Sequence, residues 1–206
     1  MSHKLEMSTG DMRRVVRLLT AVERTPEQER LVGIARERCA AVDARYADMG
    51  YEPDVPVVQA LEELLEGTFT AQTGPGYSHA LQALVAVQFS DTYDLGWWRR
   101  PSWFHTVDEE MTRHGVPADL APAALLFAGP PVRIPHPGDA TPWMSTFPAS
   151  RAAEVVEAYE AVLDRLDPEV RETAELLLEP MRVEAEEWPL TVKAGRTEDT
   201  VFFWLS

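Results

Sequence analysis

The stretch SRAAEVVEAYEAVLDRLDPEVRETAELLLEPM, residues 150–181, decides the fold, because apolar residues repeat in it at helical spacing twice. In its first half they recur three and four positions apart, and acids occupy the opposite face. Asp167-Pro168 then restarts the chain with a capping residue and a proline at the first helical position, where a missing N–H is harmless. We expect an antiparallel pair of helices whose inward residues are Ala152, Val155, Val156, Tyr159, Val162, Leu163 and Leu166, followed by Val170, Ala174, Leu177, Leu178, Met181 and Ala185.

The residues before this helix pair are also predicted to be mainly helical. Thr25 and Gln28 form a capping box around Pro26, which predicts a helix that runs to about Asp48 and ends before Gly50. Further helices are expected to begin after Asp54, which is the predicted cap of the first of them, at Ser78 and at Thr106.

Strand signals lie mainly at the two ends of the chain. Lys4–Met7 is a short candidate, and Leu190–Lys193 and Thr200–Leu205 are rich in β-branched and aromatic residues. Gly195 and the polar residues after it predict that the last two segments form a hairpin. The expected class is therefore α+β: one helix-dominated domain over residues 1–206, with a small mixed sheet formed by N- and C-terminal strands.

The charge balance narrows the classes of partner. The chain has 34 acidic and 19 basic residues, a formal net charge of −15. Nucleic acid binding requires a cationic surface, because its affinity comes largely from counterions released from phosphates. Anionic membrane surfaces are disfavoured for the same reason. We therefore expect neither nucleic acid nor a membrane as partner.

The cellular compartment is predicted from the lack of targeting signals, membrane spans and cysteine pairs in the sequence. The first ten residues contain no apolar signal region, and no apolar run approaches the roughly 18 residues of a membrane span. The single cysteine, Cys39, excludes an intrachain disulfide. A cytoplasmic location is predicted, and Cys39 itself is interpreted as a small buried hydrophobe rather than as a nucleophile.

The acids are concentrated in two segments. Residues 46–98 hold eight acids and no lysine or arginine, and residues 151–187 hold twelve acids and four arginines. One interpretation is a set of solvated helix faces. The other is an electronegative surface for a basic protein, with Glu62, Glu63 and Glu66 as the candidate contact residues. The oligomeric state is left open.

A second candidate site is the aromatic segment DTYDLGWWRRPSWFH, residues 91–105. Aromatic rings there could stack a ligand, while arginines clamp a carboxylate or phosphate. The alternative is that the rings belong to the core and the arginines pair locally. The ligand-binding candidates in this segment are Trp97, Trp98, Arg99, Arg100, Trp103 and His105.

The segment GPPVRIPHPGDATPW, residues 129–143, contains five prolines. Prolines fix φ and extend the residues before them, so a stiff strap across a finished core is favoured. A ligand loop is the alternative, in which His136 and Asp139 form a wall beside the aromatic segment.

Metal and catalytic signatures are weak. His105 and Glu109, like Glu110 and His114, stand four positions apart, but the two pairs occupy different faces of one helix. Zinc requires three or four converging ligands. No nucleophile elbow is visible either. We expect no metal, no cofactor and no catalytic residue, although the sequence leaves enzymatic activity undecided.

Three stretches carry a resemblance: GYSHALQAL (76–84), GPPVRIPHPGD continuing to Trp143, and SRAAEVVEAYEAVLDRLDPEV (150–170). Over roughly the C-terminal 130 residues, the chain resembles a group of actinobacterial proteins of unknown function and, distantly, small YfbM-like bacterial proteins. The resemblance implies a modest mixed sheet flanked by helices and carries no activity over. Members of the group end soon after the last helix, whereas this chain continues over residues 188–206.

Two functions from different classes remain. The first is a non-catalytic interaction or regulatory domain, similar to an inhibitor or immunity protein, whose acidic helices meet a basic partner. The second is a small-molecule-binding protein or enzyme with a pocket walled by tryptophan, arginine and histidine.

Overall fold

Eight α-helices and four strands follow one another along the residues that the computed structural model describes, which are 3–90, 92–98, 101–137 and 142–206, without the side chains of Trp97, Trp98 and Pro101. This confirms the predicted α+β class. In chain order the elements are β1 His3–Gly10, α1 Met12–Thr20, α2 Pro26–Asp48, α3 Val57–Glu66, α4 Pro75–Ala86, β2 Tyr93–Trp98, α5 Pro101–Arg113, α6 Pro122–Leu126, β3 Trp143–Pro148, α7 Ala152–Glu160, α8 Pro168–Lys193 and β4 Thr200–Leu205.

The sheet joins the two ends of the chain, as predicted. Its strand order is β2-β1-β4-β3. β1 pairs antiparallel with β4, from Leu5 opposite Leu205 to Gly10 opposite Thr200, and antiparallel with β2 on its other side. Successive residues of β4 are buried, so this strand is covered on both faces.

Two of the four strands were not predicted, namely β2 in the aromatic segment and β3 after the proline strap. In β2, Gly96 adopts a φ of +82°, and the partners of Lys4 and Glu6 are Trp97 and Asp94. One extra residue of β2 therefore lies opposite β1, which is a β-bulge. Such an irregular strand lacks the apolar–polar alternation by which strands are recognised in a sequence.

The chain divides into two compact units. The sheet unit comprises Met1–Gly10, Thr92–Gly129 and Met144–Ser206, and the helical unit comprises Asp11–Asp91 and Pro130–Trp143. The expectation of one domain over residues 1–206 stays a prediction.

In the sheet unit, α7 and α8 pack against each other, as the opening stretch predicts. The predicted hairpin is wrong, because Leu190–Lys193 forms the last turn of α8 rather than a strand. The turn is closed by the Ala194 and Arg196 amides, which donate to the carbonyls of Leu190 and Thr191. β propensity depends on context, and β4 already has its ladder partner in β1.

In the helical unit, α2, α3 and α4 pack together, and α2 begins with the predicted capping box at Thr25 and Gln28. The cap of α3 is not Asp54. Instead, the carboxylate of Asp43 on α2 accepts the Val57 and Val58 amides at 2.7 and 3.0 Å. A carboxylate at a helix N-terminus satisfies free N–H groups and the helix dipole, so this contact also fixes α3 against α2.

Candidate functional site

The three predicted partner-binding glutamates of α3 differ in environment. Glu62 is partly exposed and pairs with Arg36, whose Nε lies 2.7 Å from the Glu62 carboxylate. Glu66 is exposed at the end of the helix. Glu63 is only 7% exposed, so its charge is not presented to a partner. The prediction of three adjacent surface carboxylates is therefore corrected to Glu62 and Glu66.

Glu63 is buried because the loop after α3 closes over it. Its carboxylate accepts hydrogen bonds from the Thr70 amide at 3.0 Å, the Thr70 hydroxyl at 2.6 Å and the Gln59 side-chain amide at 2.8 Å. The fully buried Tyr77 hydroxyl donates a fourth. A buried carboxylate is tolerated when its acceptor sites are filled in this way. Glu63 thus organises the loop between α3 and α4.

The pKa values of Glu63 and His79, both in the helical unit, are displaced in ways that affect stability. Burial would raise the pKa of Glu63, but hydrogen bonds from Thr70 and Tyr77 outweigh it and lower that pKa to about 2. Burial, assisted by the charge of Arg45, lowers the pKa of His79 to about 4. The Tyr46 hydroxyl lies 2.8 Å from His79 Nε2. The fold therefore favours neutral His79 and ionised Glu63.

These pKa values predict two steps of acid destabilisation. Unfolded His79 takes up a proton below about pH 6.5 and folded His79 only near pH 4, so stability falls as the pH drops between these values. For Glu63, stability is full above its unfolded pKa of about 4.5 and falls as the pH drops toward 2. Urea unfolding at a series of pH values should show the first step weakened in His79→Gln and the second in Glu63→Gln. Equal pH profiles for wild type and both variants would contradict this assignment.

The exposed acids of the sheet unit are richest along the outer side of α8. We define the α8 outer face as Glu172, Leu176, Glu179, Val183, Glu186 and Leu190, which follow one another at alternating spacings of four and three residues. All six are exposed. Residues at these spacings lie on one side of a helix, so they form a single stripe. The inward stripe of this helix was predicted and the outward one was not, although the heptad repeat of the outward stripe is visible in the sequence.

Arginines form ion pairs with other acids of α7 and α8, but those of the described residues form none with the glutamates of this stripe. Arg171 bonds Glu175 at 2.8 Å, and Arg182 bonds Glu160 at 2.8 Å. Within the described residues, no cation lies within ion-pair distance of Glu172, Glu179 or Glu186. Among the residues that the structure describes, these three carboxylates of the α8 outer face are therefore without an ion-pair partner.

The predicted aromatic site is described only in part. Trp103 is half-buried in the sheet unit, where its indole N–H donates to the Thr173 hydroxyl of α8 at 3.0 Å, and His105 is exposed. Arg99 and Arg100 lie outside the described residues, as do the side chains of Trp97 and Trp98. Their joint pocket stays a prediction.

Residues 130–137 of the proline strap belong to the helical unit, and their backbone is bound there. The Gly74 amide donates to the His136 carbonyl at 2.9 Å, and Thr73 and His136 form a parallel bridge. The His136 side chain is exposed, whereas Asp139 lies outside the described residues. This contact supports the strap interpretation for residues near His136, and the ligand-loop alternative stays open for Asp139.

A cavity of about 580 Å³ opens beside the C-terminal end of α2. Asp43, Tyr51, Glu52 and Asp54 contribute to its lining, and Asp43 is already engaged in capping α3. Among the predicted ligand-binding residues whose side chains the structure describes, Trp103, His105 and His136 do not line this cavity. Its open, acidic rim adds to the negative surface of the helical unit.

Other chemistry-bearing groups have structural roles. Cys39 is fully buried, and burial raises the pKa of its thiol to about 12, which agrees with a buried hydrophobe. Glu110 accepts the Asp167 amide at 2.6 Å. In the described ranges, no group of three histidine, cysteine or acidic side chains converges as metal ligands, and no helix is both long enough and apolar enough to cross a membrane.

Comparison with known proteins gives one finding. A family model described as a domain of unknown function (DUF7691) matches residues 1–205. No curated protein and no solved structure matches the chain. The match confirms the resemblance to a family of unknown function, and the actinobacterial origin and the YfbM likeness stay predictions.

Proposed function

The chain belongs to the family described as a domain of unknown function (DUF7691), and we propose that it is a non-catalytic interaction domain whose acidic helices bind a basic protein partner. An inhibitor or immunity protein acts in this manner. Such a domain requires a stable scaffold and a charged surface and needs no converging catalytic groups. A cytoplasmic location is part of the proposal.

The observation that carries the proposal is the presence of exposed carboxylates that the chain does not neutralise. Glu172, Glu179 and Glu186 on α8 have no cation within ion-pair distance among the described residues, and Glu66 is exposed on α3. A negative field over such faces raises the rate of encounter with a positively charged protein. The net charge of −15 acts in the same direction.

The proposal differs from the interpretation of these acids as a merely solvated surface. Surface acids that serve solubility are usually interspersed with basic residues. Glu62 with Arg36 and Glu160 with Arg182 fit that description. The glutamates of the α8 outer face do not, which supports a role in recognition.

Affinity capture followed by kinetics tests this function. A variant with Glu66, Glu172, Glu179 and Glu186 all changed to lysine serves as the matched bait, after circular dichroism has shown that it is folded. We expect the wild type to retain a basic protein from a lysate of its source cells and the variant to release it. The association rate should fall at least tenfold between about 50 and 300 mM salt. Equal retention by both baits, or a rate independent of salt, would contradict the proposal.

A second candidate function is binding of a small molecule at the aromatic segment. The observation that favours it is Trp103, whose half-buried ring is held in place by its hydrogen bond to Thr173. Fixed aromatic rings are typical walls of ligand pockets. A ligand present at about 100 times its dissociation constant adds roughly 2.7 kcal/mol of stability. Thermal unfolding with a panel of nucleotides, sugars and acidic metabolites should then give a hit that Trp98→Ala abolishes, and an unresponsive panel would contradict this function.

A further inference from the structure

An exposed apolar stripe runs along the α8 outer face. Leu176, Val183 and Leu190 are 42%, 52% and 60% exposed, and they stand seven positions apart. Single exposed apolar residues are common, but a heptad repeat of them on one helix is the pattern of a helix–helix contact. Each of the three keeps at least two-fifths of its surface exposed.

Acidic residues alternate with the apolar ones along this face. Glu172, Glu179 and Glu186 also stand seven positions apart, and each lies four positions before an apolar residue of the stripe. Along α8 the stripe spans about 27 Å from Glu172 to Leu190, at 1.5 Å per residue, and the helix continues through Pro180 and Pro189, each of which removes one of its backbone hydrogen bonds. A single partner helix of about five turns could therefore contact all six side chains at once.

The helix that carries the stripe is firmly held. Its opposite side buries Ala174, Leu177, Leu178 and Met181, each 0% exposed. Such a helix does not rotate to hide its apolar stripe without losing this core. The alternating pattern is consequently presented in fixed geometry, which lowers the entropic cost of binding.

We propose that the α8 outer face docks one amphipathic α-helix of a basic protein, whose contact side alternates apolar residues with lysine or arginine at the same four-three spacing. This inference rests on the proposed function and names the docking face and the class of partner. Apolar side chains of the partner meet Leu176, Val183 and Leu190, and its cations meet the three glutamates. Charge complementarity selects the partner, because a neutral helix would leave those carboxylates unpaired.

A second copy of this chain suits the α8 outer face less well than a basic helix does. In a parallel pair of α8 helices the three glutamates would face their own copies, and in an antiparallel pair glutamates would meet apolar residues. Both arrangements bring together chains of net charge −15. Like charges at an interface oppose association, so the charge pattern favours a partner of opposite sign.

Synthetic helices provide the test. The probe is a fluorescein-labelled peptide of about 21 residues with leucine and lysine alternating at four-three spacing on one side and alanine and glutamine elsewhere. A scrambled peptide of the same composition keeps the charge and loses the stripe. A third peptide carries glutamate in place of lysine. Fluorescence anisotropy measures binding to the wild type and to the double variant Leu176→Gln/Val183→Gln. Val22→Gln is the control, because it changes a fully exposed valine outside α8.

We expect the alternating peptide to bind at least tenfold more tightly than the scrambled one, and the glutamate peptide not to bind. The double variant should lose at least tenfold in affinity, and Val22→Gln should match wild type. Equal binding of the alternating and scrambled peptides would overturn the docking face while leaving an acidic interaction domain intact. No binding of either basic peptide up to about 1 mM would overturn both proposals. Sedimentation in which wild type dimerises and the double variant does not would assign the stripe to a second copy and overturn the inference.

Discussion

The Glu63→Ala variant should lose about 3 kcal/mol of unfolding free energy, which is a large effect for a single substitution. The substitution removes the acceptor of four hydrogen bonds, from Gln59, Tyr77 and both donors of Thr70. Of these donors, the Tyr77 hydroxyl is fully buried, so the substitution leaves it without its acceptor. Thermal unfolding followed by circular dichroism should show a midpoint lowered by about 6–12 °C.

Glu62→Ala is the matched control, because it removes the neighbouring carboxylate from the same helix. Glu62 makes one partly exposed ion pair with Arg36, and such pairs contribute less than about 1 kcal/mol. A loss in Glu63→Ala no greater than that in Glu62→Ala would show that Glu63 is not the buried acceptor described above.

The second large effect is expected at Gly76, in the first turn of α4. A Cβ atom added there would lie 2.7 Å from the carbonyl oxygen of Val55 and 3.4 Å from the Ala60 Cβ. Because the nearest atom belongs to the backbone, α4 has to move away from the segment before α3. Overpacking of this kind costs roughly 2 kcal/mol, so Gly76→Ala should be clearly destabilised in urea unfolding.

Gly33→Ala provides a control of opposite sign. Gly33 lies within α2, and no atom stands within 4 Å of a Cβ added there. Alanine is favoured over glycine in a helix by about 1 kcal/mol, so this variant should be stabilised. If both variants shifted stability in the same direction, the close approach of α4 to Val55 would be wrong.

Local chemistry explains which helices could be predicted. The capping box at Thr25 and the apolar repeats on both sides of Asp167 are properties of a few consecutive residues, and α2, α7 and α8 form accordingly. The cap of α3 is different in kind. It comes from Asp43, fourteen residues earlier, so only the packing of α2 against α3 identifies it.

The same distinction applies to the candidate site. Glu63 looks like its neighbour Glu62 in the sequence, and its burial depends on Thr70, in the loop that folds back over the helix, and on Tyr77 of α4. The strand prediction for Leu190–Lys193 is wrong because β4 pairs with β1 instead. The β propensity of a segment does not show which other segment will pair with it. The heptad repeat of Leu176, Val183 and Leu190 could have been found from the sequence alone, but their exposure could not.

Zero-length crosslinking tests most directly the claim that the acidic surface of this chain recognises a basic protein. A carbodiimide joins a carboxylate to a lysine amine only where the two are in contact, and mass spectrometry then identifies both residues. With the alternating leucine–lysine peptide, we predict crosslinks at Glu172, Glu179 and Glu186, in an order that follows the lysines along the peptide. Crosslinks spread over other exposed acids such as Glu27 and Glu52 would contradict the docking face, and no crosslinks at all would contradict recognition of a basic partner by the acidic surface.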